Sequence, residues 1–157
     1  MFVLLDIDGV MVKGNAWKPV ENLQDGFSAF IPAAVMALCK IIEATDADIV
    51  LTTSHKHRFS LDEWRDIFSR RGISISNGSS ITRLEVNRNN LNRKDEILKW
   101  VKNHSEVANF VILDDDKSLN GLPSYLKENL ILTSPYIGLT DSEANHAIDL
   151  LLMEEFA

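Results

Sequence analysis

Residues 2–9 read Phe2-Val3-Leu4-Leu5-Asp6-Ile7-Asp8-Gly9, an apolar run that ends in two aspartates one residue apart and a glycine. A short apolar run bounded by polar residues is the pattern of a strand buried on both faces. Side chains alternate along a strand, so Asp6 and Asp8 start on one side and Ile7 on the other. Two carboxylates at one strand end repel each other unless a cation lies between them. A hard divalent ion such as Mg2+ suits them, because it takes a few carboxylates and keeps several waters. The first strand thus brings half of a metal-dependent site.

Working outward, residues 10–31 lack clear periodicity, contain Gly14, Pro19 and Gly26, and read as a flap-like insert. A helix is expected from about Pro32 to Thr45, with Val35, Leu38, Cys39 and Ile42 on one face and proline in its first turn. Asp48 to Leu51 reads as a second strand, ending in Thr52-Thr53-Ser54. Ser60-Leu-Asp-Glu63 has capping-box spacing ahead of an apolar stripe of Leu61, Trp64, Ile67 and Phe68, and Gly72 marks the stop. Ile73 to Ile75 is expected as the third strand, and residues 77–92, rich in Asn, Ser and Arg, as an irregular loop. Arg93-Lys94 opens another helix with Ile97, Leu98 and Val101 inward. Phe110 to Leu113 reads as a strand terminating in Asp114-Asp115-Asp116, and Leu130 to Leu132 as the last strand. Thr140-Asp-Ser-Glu143 caps a final helix lined by Ala144, Ala147, Ile148 and Leu151.

Short apolar strands alternating with amphipathic helices indicate an α/β fold: a three-layer, Rossmann-like parallel sheet covered on both faces. The 157 residues suffice for one domain with a substantial core, so 1–157 is read as a single domain. Ligands of such sheets bind at the carboxyl ends of the strands. Three of the expected strand ends carry polar clusters: Asp6/Asp8, Thr52/Thr53 and Asp114/Asp115. The strands were delimited by apolar runs alone, so this agreement is independent support for a site.

An acidic cradle holding a divalent ion binds a phosphate ester and neutralises charge as the bond breaks. Asp6 is the candidate nucleophile and Asp8 the candidate acid and base. Thr52, or Thr53 beside it, is positioned to donate to a phosphoryl oxygen. Lys94 adds positive charge at a helix start. Lys56 belongs to a basic run, His55 to Arg58, that reads as a solvated loop or a contact for substrate phosphates. Trp17 in the flap could stack on a base or simply pack, whereas Trp64 and Trp100 read as packing residues.

These residues carry a resemblance to a known family. Asp6-Ile-Asp8-Gly9-Val10 looks like the first motif of the haloacid dehalogenase (HAD) phosphohydrolase superfamily. Ile49-Val-Leu-Thr52 is similar to its second, Lys94 or Arg93 to its third, and Val111-Ile-Leu-Asp114-Asp115 to its fourth. By that resemblance Asp6 is the nucleophile and Asp8 the acid/base. Mg2+ would be held by Asp6, the Asp8 backbone carbonyl and the fourth-motif carboxylates, Asp115 with Asp114 in support. The inserts are too small for a usual cap, so the chain resembles capless members, whose open sites admit bulky substrates. Thr52-Thr53-Ser54-His55-Lys56, the helix Lys94 to Trp100, Leu113-Asp-Asp-Asp116 and Gly138-Leu-Thr140 resemble the small HAD domains of Swiss-army-knife RNA-repair systems, relatives of polynucleotide phosphatases. The expected substrate is a phosphate monoester, with nucleotides and nucleic-acid ends among the candidates.

The bulk properties narrow the alternatives. A hydrophobic fraction of 45% with 25% charged residues is that of a globular protein, and no apolar stretch reaches membrane-spanning length. A cytoplasmic protein with no membrane partner is expected. The single cysteine, Cys39, excludes an internal disulfide and reads as a buried, inert thiol. The net charge of -7 argues against broad adhesion to nucleic acid while allowing a local basic rim. Two rival readings remain: a phosphate- or partner-binding module without catalysis, and a phosphorylated receiver domain. Receivers place their first acidic pair adjacent rather than one residue apart. Oligomeric state is silent in the sequence.

Overall fold

The computed structural model describes residues 1–14, 20–75, 80–104 and 109–153. Five strands form one parallel sheet: β1 (Phe2–Leu5), β2 (Asp48–Leu51), β3 (Ile81–Arg83), β4 (Phe110–Asp114) and β5 (Leu130–Leu132). Their spatial order is β3-β2-β1-β4-β5, with β1 at the centre. Helices α1 (Pro32–Thr45), α2 (Leu61–Arg70), α3 (Arg93–Asn103) and the short α4 (Ser124–Lys127) connect successive strands, and α5 (Asp141–Leu151) follows β5. A 3-10 turn at Lys117–Gly121 follows β4. The expected three-layer α/β architecture is present.

Strand alternation sorts the core into two halves. Val3, Leu5, Ile49, Leu51, Val111 and Leu113 pack with residues of α1, α2 and α5. Leu4, Val50 and Ile112 pack on the opposite face with Ile97 and Trp100 of α3, Leu119 and Leu126. Both central faces are dry, which is why these strands read as continuous apolar runs.

The caps form where the sequence places them. Ser60 with Glu63, and Thr140 with Glu143, each make both reciprocal hydrogen bonds of a capping box. Pro32 starts α1, and Asn92 accepts from the Asp95 amide at 2.9 Å to start α3.

The third strand differs from expectation. Ile73 to Ile75 is not a strand, and the pairing falls on Ile81–Arg83, inside the stretch expected to be irregular. Gly72, at φ +88°, turns the chain back after α2. The Ile73 amide then donates to Phe68 O at 3.0 Å while its side chain is buried in the helical half of the core. The segment satisfies its apolar character against helices, so the sheet edge is built further on.

Cys39 is half-buried, with its thiol 3.5 Å from Gly72 O, and burial pushes its proton affinity up, as an unreactive thiol requires. Trp64 and Trp100 are core residues, as expected. Trp17 lies outside the described residues. Among the described residues no helix is long and apolar enough to cross a membrane.

In the described parts of the 10–31 insert there is no helix or strand, only isolated bridges: Val12 with Asp8, and Asn22 with Ser28. The insert is nevertheless firmly attached. Arg71, just past α2, donates to both Asp25 carboxyl oxygens at 2.6 and 3.0 Å, and to the carbonyls of Phe27 and Ser28 at 2.9 Å each. Its guanidinium also lies over the rings of Phe27 and Phe30.

Candidate active site

Register alone brings the principal side chains together. Leu5 pairs with Leu51 on one side and Leu113 on the other, so Thr52, Asp6 and Asp114 are lateral neighbours at the carboxyl ends of β2, β1 and β4. Neighbouring strands are about 4.8 Å apart. The ladder continues past the strands, since Thr52 N donates to Leu5 O at 2.9 Å and Asp6 N to Leu113 O at 3.0 Å. Alternation puts Asp6 on the same face as Leu4, the α3 side of the sheet.

Arg93, the first residue of α3, enters from that side. Its Nη1 lies 2.7 Å from Asp114 Oδ2 and 3.5 Å from Asp6 Oδ2. The second Asp114 oxygen accepts from the Asp116 amide at 3.0 Å, so this fully buried carboxylate is held at both ends. Asp115 completes the cluster: ligand oxygens of Asp6, Asp114 and Asp115 all lie within 4.8 Å of one another. Gly9 makes room for it. At φ +84°, a Cβ there would sit 2.1 Å from Asp115 Oδ2, a contact no side chain can accept.

Three carboxyls face one guanidinium, and the imbalance shows in their proton affinities. Burial first, and the charge of Asp114 second, push Asp6 from 3.8 up to about 8 against the opposing pull of Arg93. Burial and Asp114 raise Asp115 as well. Burial works against the charge on Arg93, yet Asp6 and Asp114 hold its proton more tightly than usual. An oxygen-only donor set with surplus negative charge fits a small hard divalent cation. Asp6 and Asp115, backed by Asp114, are the residues that would hold Mg2+.

The cavity over this cluster measures about 540 Å3 and is lined by Asp6, Asp8, Lys13, Gly14, Ser54, Arg93, Asp114, Asp115 and Asp116. Lys13 and Ser54 were not foreseen as site residues, although they lie three residues after Val10 and two after Thr52, the ends of the first two motifs. A larger groove of about 860 Å3 runs beside α3 past Trp100 and Val86 but holds none of the three acids. The chemistry, rather than the size, locates the site.

The other expected site residues are distributed as follows. The Asp8 carboxyl lies outside the three-acid cluster, half-exposed, with Oδ2 2.9 Å from His55 Nε2. Thr52 is buried, and its hydroxyl has no hydrogen-bond partner among the described residues. Thr53 is also buried and accepts the His55 amide at 3.3 Å, so it turns the loop rather than lining the cavity. Asp116 caps the 3-10 turn through the Ser118 amide at 2.9 Å.

Two expectations need correcting. Lys94 does not join the acids: it runs beside Gly121, whose absent Cβ would sit 3.6 Å from Lys94 Cδ. Successive helical residues point about 100° apart, so only one of Arg93 and Lys94 can face the cluster, and it is Arg93. Lys56 is not a solvated or substrate-facing cation. It is buried, with Nζ 3.1 Å from Glu96 Oε2, inside ion-pair distance though off the hydrogen-bonding direction. A buried ammonium needs such a partner.

With the geometry in place, comparison identifies the lineage. The sequence model of a family described as "HAD domain in Swiss Army Knife RNA repair proteins" matches residues 2–144. The chain belongs to that family. The matched span covers all five strands and every acid discussed above. A search of curated proteins and of solved structures found no match to this chain. Membership of that family suggests a phosphatase-type function, and the acidic cluster of this chain is compatible with it.

Proposed function

We propose that this HAD domain is a Mg2+-dependent phosphomonoesterase acting through an aspartyl-phosphate. The observation that carries the reading is the convergence of Asp6, Asp114 and Asp115 within 4.8 Å, with Arg93 beside them, at the carboxyl end of the sheet. Bound Mg2+ would supply Lewis-acid charge and return Asp6 to the carboxylate form.

The residues divide the work as follows. An Asp6 oxygen attacks phosphorus and the ester P–O bond breaks, its electron pair leaving on the alcohol oxygen, which takes the Asp8 proton. Asp8, now a carboxylate, then takes a proton from water as the water oxygen bonds to phosphorus and the Asp6–phosphorus bond breaks. The alcohol and inorganic phosphate are released, and both acids are restored. Arg93, Lys13 and the Ser54 hydroxyl offer positive charge and a donor to the phosphoryl oxygens. The unpartnered Thr52 hydroxyl, beside Asp6 in register, is a further donor that a phosphoryl oxygen would satisfy.

Phosphorylated nucleic-acid ends or nucleotides are the proposed substrates. Support comes from the family's description as RNA-repair proteins and from an insert whose described residues hold no helix or strand. The test is a screen of mononucleotides, sugar phosphates and 3′- or 5′-phosphorylated oligonucleotides, with p-nitrophenyl phosphate as a generic ester. Asp6→Asn should abolish turnover with the fold intact, and a chelator should stop it until Mg2+ is restored. Undiminished turnover by Asp6→Asn removes the nucleophile, and full activity in chelator removes the metal.

A further inference from the structure

The contact between His55 and Asp8 joins residues 47 apart in sequence, and the mechanism above leaves it unused. His55 Nε2 lies 2.9 Å from Asp8 Oδ2, and among the described residues no partner reaches Asp8 Oδ1. His55 is itself held at two places, its backbone and its ring. Its backbone amide donates to Thr53 Oγ1 at 3.3 Å, which fixes the loop after β2. Its ring meets Phe27 edge-on, centroids 5.7 Å apart and planes at 81°. Phe27 is 3% exposed, and its carbonyl and ring are both held by Arg71. A chain of contacts therefore runs from the buried Arg71–Asp25 pair, through the insert, to one oxygen of Asp8.

An otherwise half-exposed aspartate rotates freely, and a proton donor delivers only when its free oxygen faces the leaving group. We infer that His55 is a positioning residue: by engaging Oδ2 it presents Oδ1 of Asp8 to the leaving oxygen of the ester. The inference rests on the phosphatase reading and adds a role for the insert, which then serves as the wall that steadies His55. His55 acts through Asp8 and touches neither phosphorus nor the three-acid cluster.

Leaving-group dependence separates this role from a merely structural one. A p-nitrophenolate departs without a proton, whereas an alkoxide requires one. The measurement is kcat/KM, which reports steps up to aspartyl-phosphate formation, on p-nitrophenyl phosphate and on 2-glycerol phosphate. His55→Ala should lower the value for the alkyl ester at least roughly tenfold, out of the 10²–10⁴ that a positioned acid contributes, and leave the aryl ester within about threefold. KM should not rise. His55→Gln, whose amide reaches the place of Nε2, should recover most of the alkyl activity, while the shorter His55→Asn should not. The Asn and Gln variants keep a polar side chain and decide the matter should the alanine variant fail to fold. Equal losses on both esters, a raised KM with kcat intact, or equal behaviour of Asn and Gln would each overturn the positioning role. A wild type that hydrolyses neither these esters nor any phosphate ester of the screen above overturns the phosphatase reading and this inference with it.

Discussion

Asp6→Asn should stabilise the metal-free protein at high pH while destroying the proposed chemistry. The wild-type carboxyl ionises at 3.8 in the unfolded chain and at about 8 in the folded one, because of burial and then Asp114. Between those values the unfolded chain gives up the proton and the folded one keeps it. The contribution of this carboxyl to stability is therefore full below about pH 4, falls as pH rises, and levels off above about pH 8. The asparagine carries no such dependence. Each tenfold change in proton affinity is worth about 1.4 kcal/mol, which sets a ceiling of about 6 kcal/mol on the difference. Asp114 and Asp115 share the same small volume, and protons spread over the group, so the expected advantage at high pH is about 2–4 kcal/mol. Urea unfolding of both proteins in chelator at pH 5, 7 and 9 measures it. The gap should open with pH, and added Mg2+ should stabilise the wild type more than the variant. A gap that does not change with pH, or a variant less stable at pH 9, would refute the account of the cluster as a surplus of buried charge.

Four further substitutions probe the surroundings. Gly9→Ala should cost roughly 1–3 kcal/mol and weaken Mg2+ binding in calorimetry, because its Cβ displaces Asp115 and its φ is left-handed; unchanged binding would show that Asp115 is dispensable. Arg93→Gln should lose about 3–5 kcal/mol in denaturant melts by stranding the buried Asp114, together with turnover. Lys94→Gln should stay within about 0.5 kcal/mol of wild type, and the reverse order of the two would restore Lys94 to the site. Arg71→Ala should lose about 3–5 kcal/mol at neutral pH by leaving Asp25 buried and unpaired. Hydrogen bonds from Arg71 hold the Asp25 carboxyl below 3.8, so the wild-type advantage should be complete above that value and fade as acid protonates Asp25. Urea midpoints at pH 7 and pH 3 test the sign.

What could be read in advance was local. The capping boxes at Ser60 and Thr140, the glycine stop at Gly72 and the apolar strands carry their signal within a few residues. The acidic ends of β1 and β4 were legible for the same reason, and the parallel register then brought them together. The misplaced third strand shows the limit, because Ile73–Ile75 has strand composition while its amide and side chain are taken by α2 and the helical core. Arg93 and Lys94 are equivalent by type and differ only in helical phase. Lys56 looked solvated because Glu96, its partner, lies in another element. The His55–Asp8 contact had no local signature at all.

The loop that carries Asp8 is tied to the chain's later part at three points. The Thr133 hydroxyl donates to Gly9 O at 2.7 Å, Leu139 N to Val10 O at 2.8 Å, and Gly14 N to Pro135 O at 2.8 Å. Gly138 permits the closest approach, since a Cβ there would meet Val10 O at 2.7 Å. During synthesis the N-terminal motif leaves the ribosome first and must wait for these late partners before its loop can close. A nascent chain stalled before residue 133 would therefore display Asp6, the proposed nucleophile, beside a half-built turn until almost the whole domain has emerged.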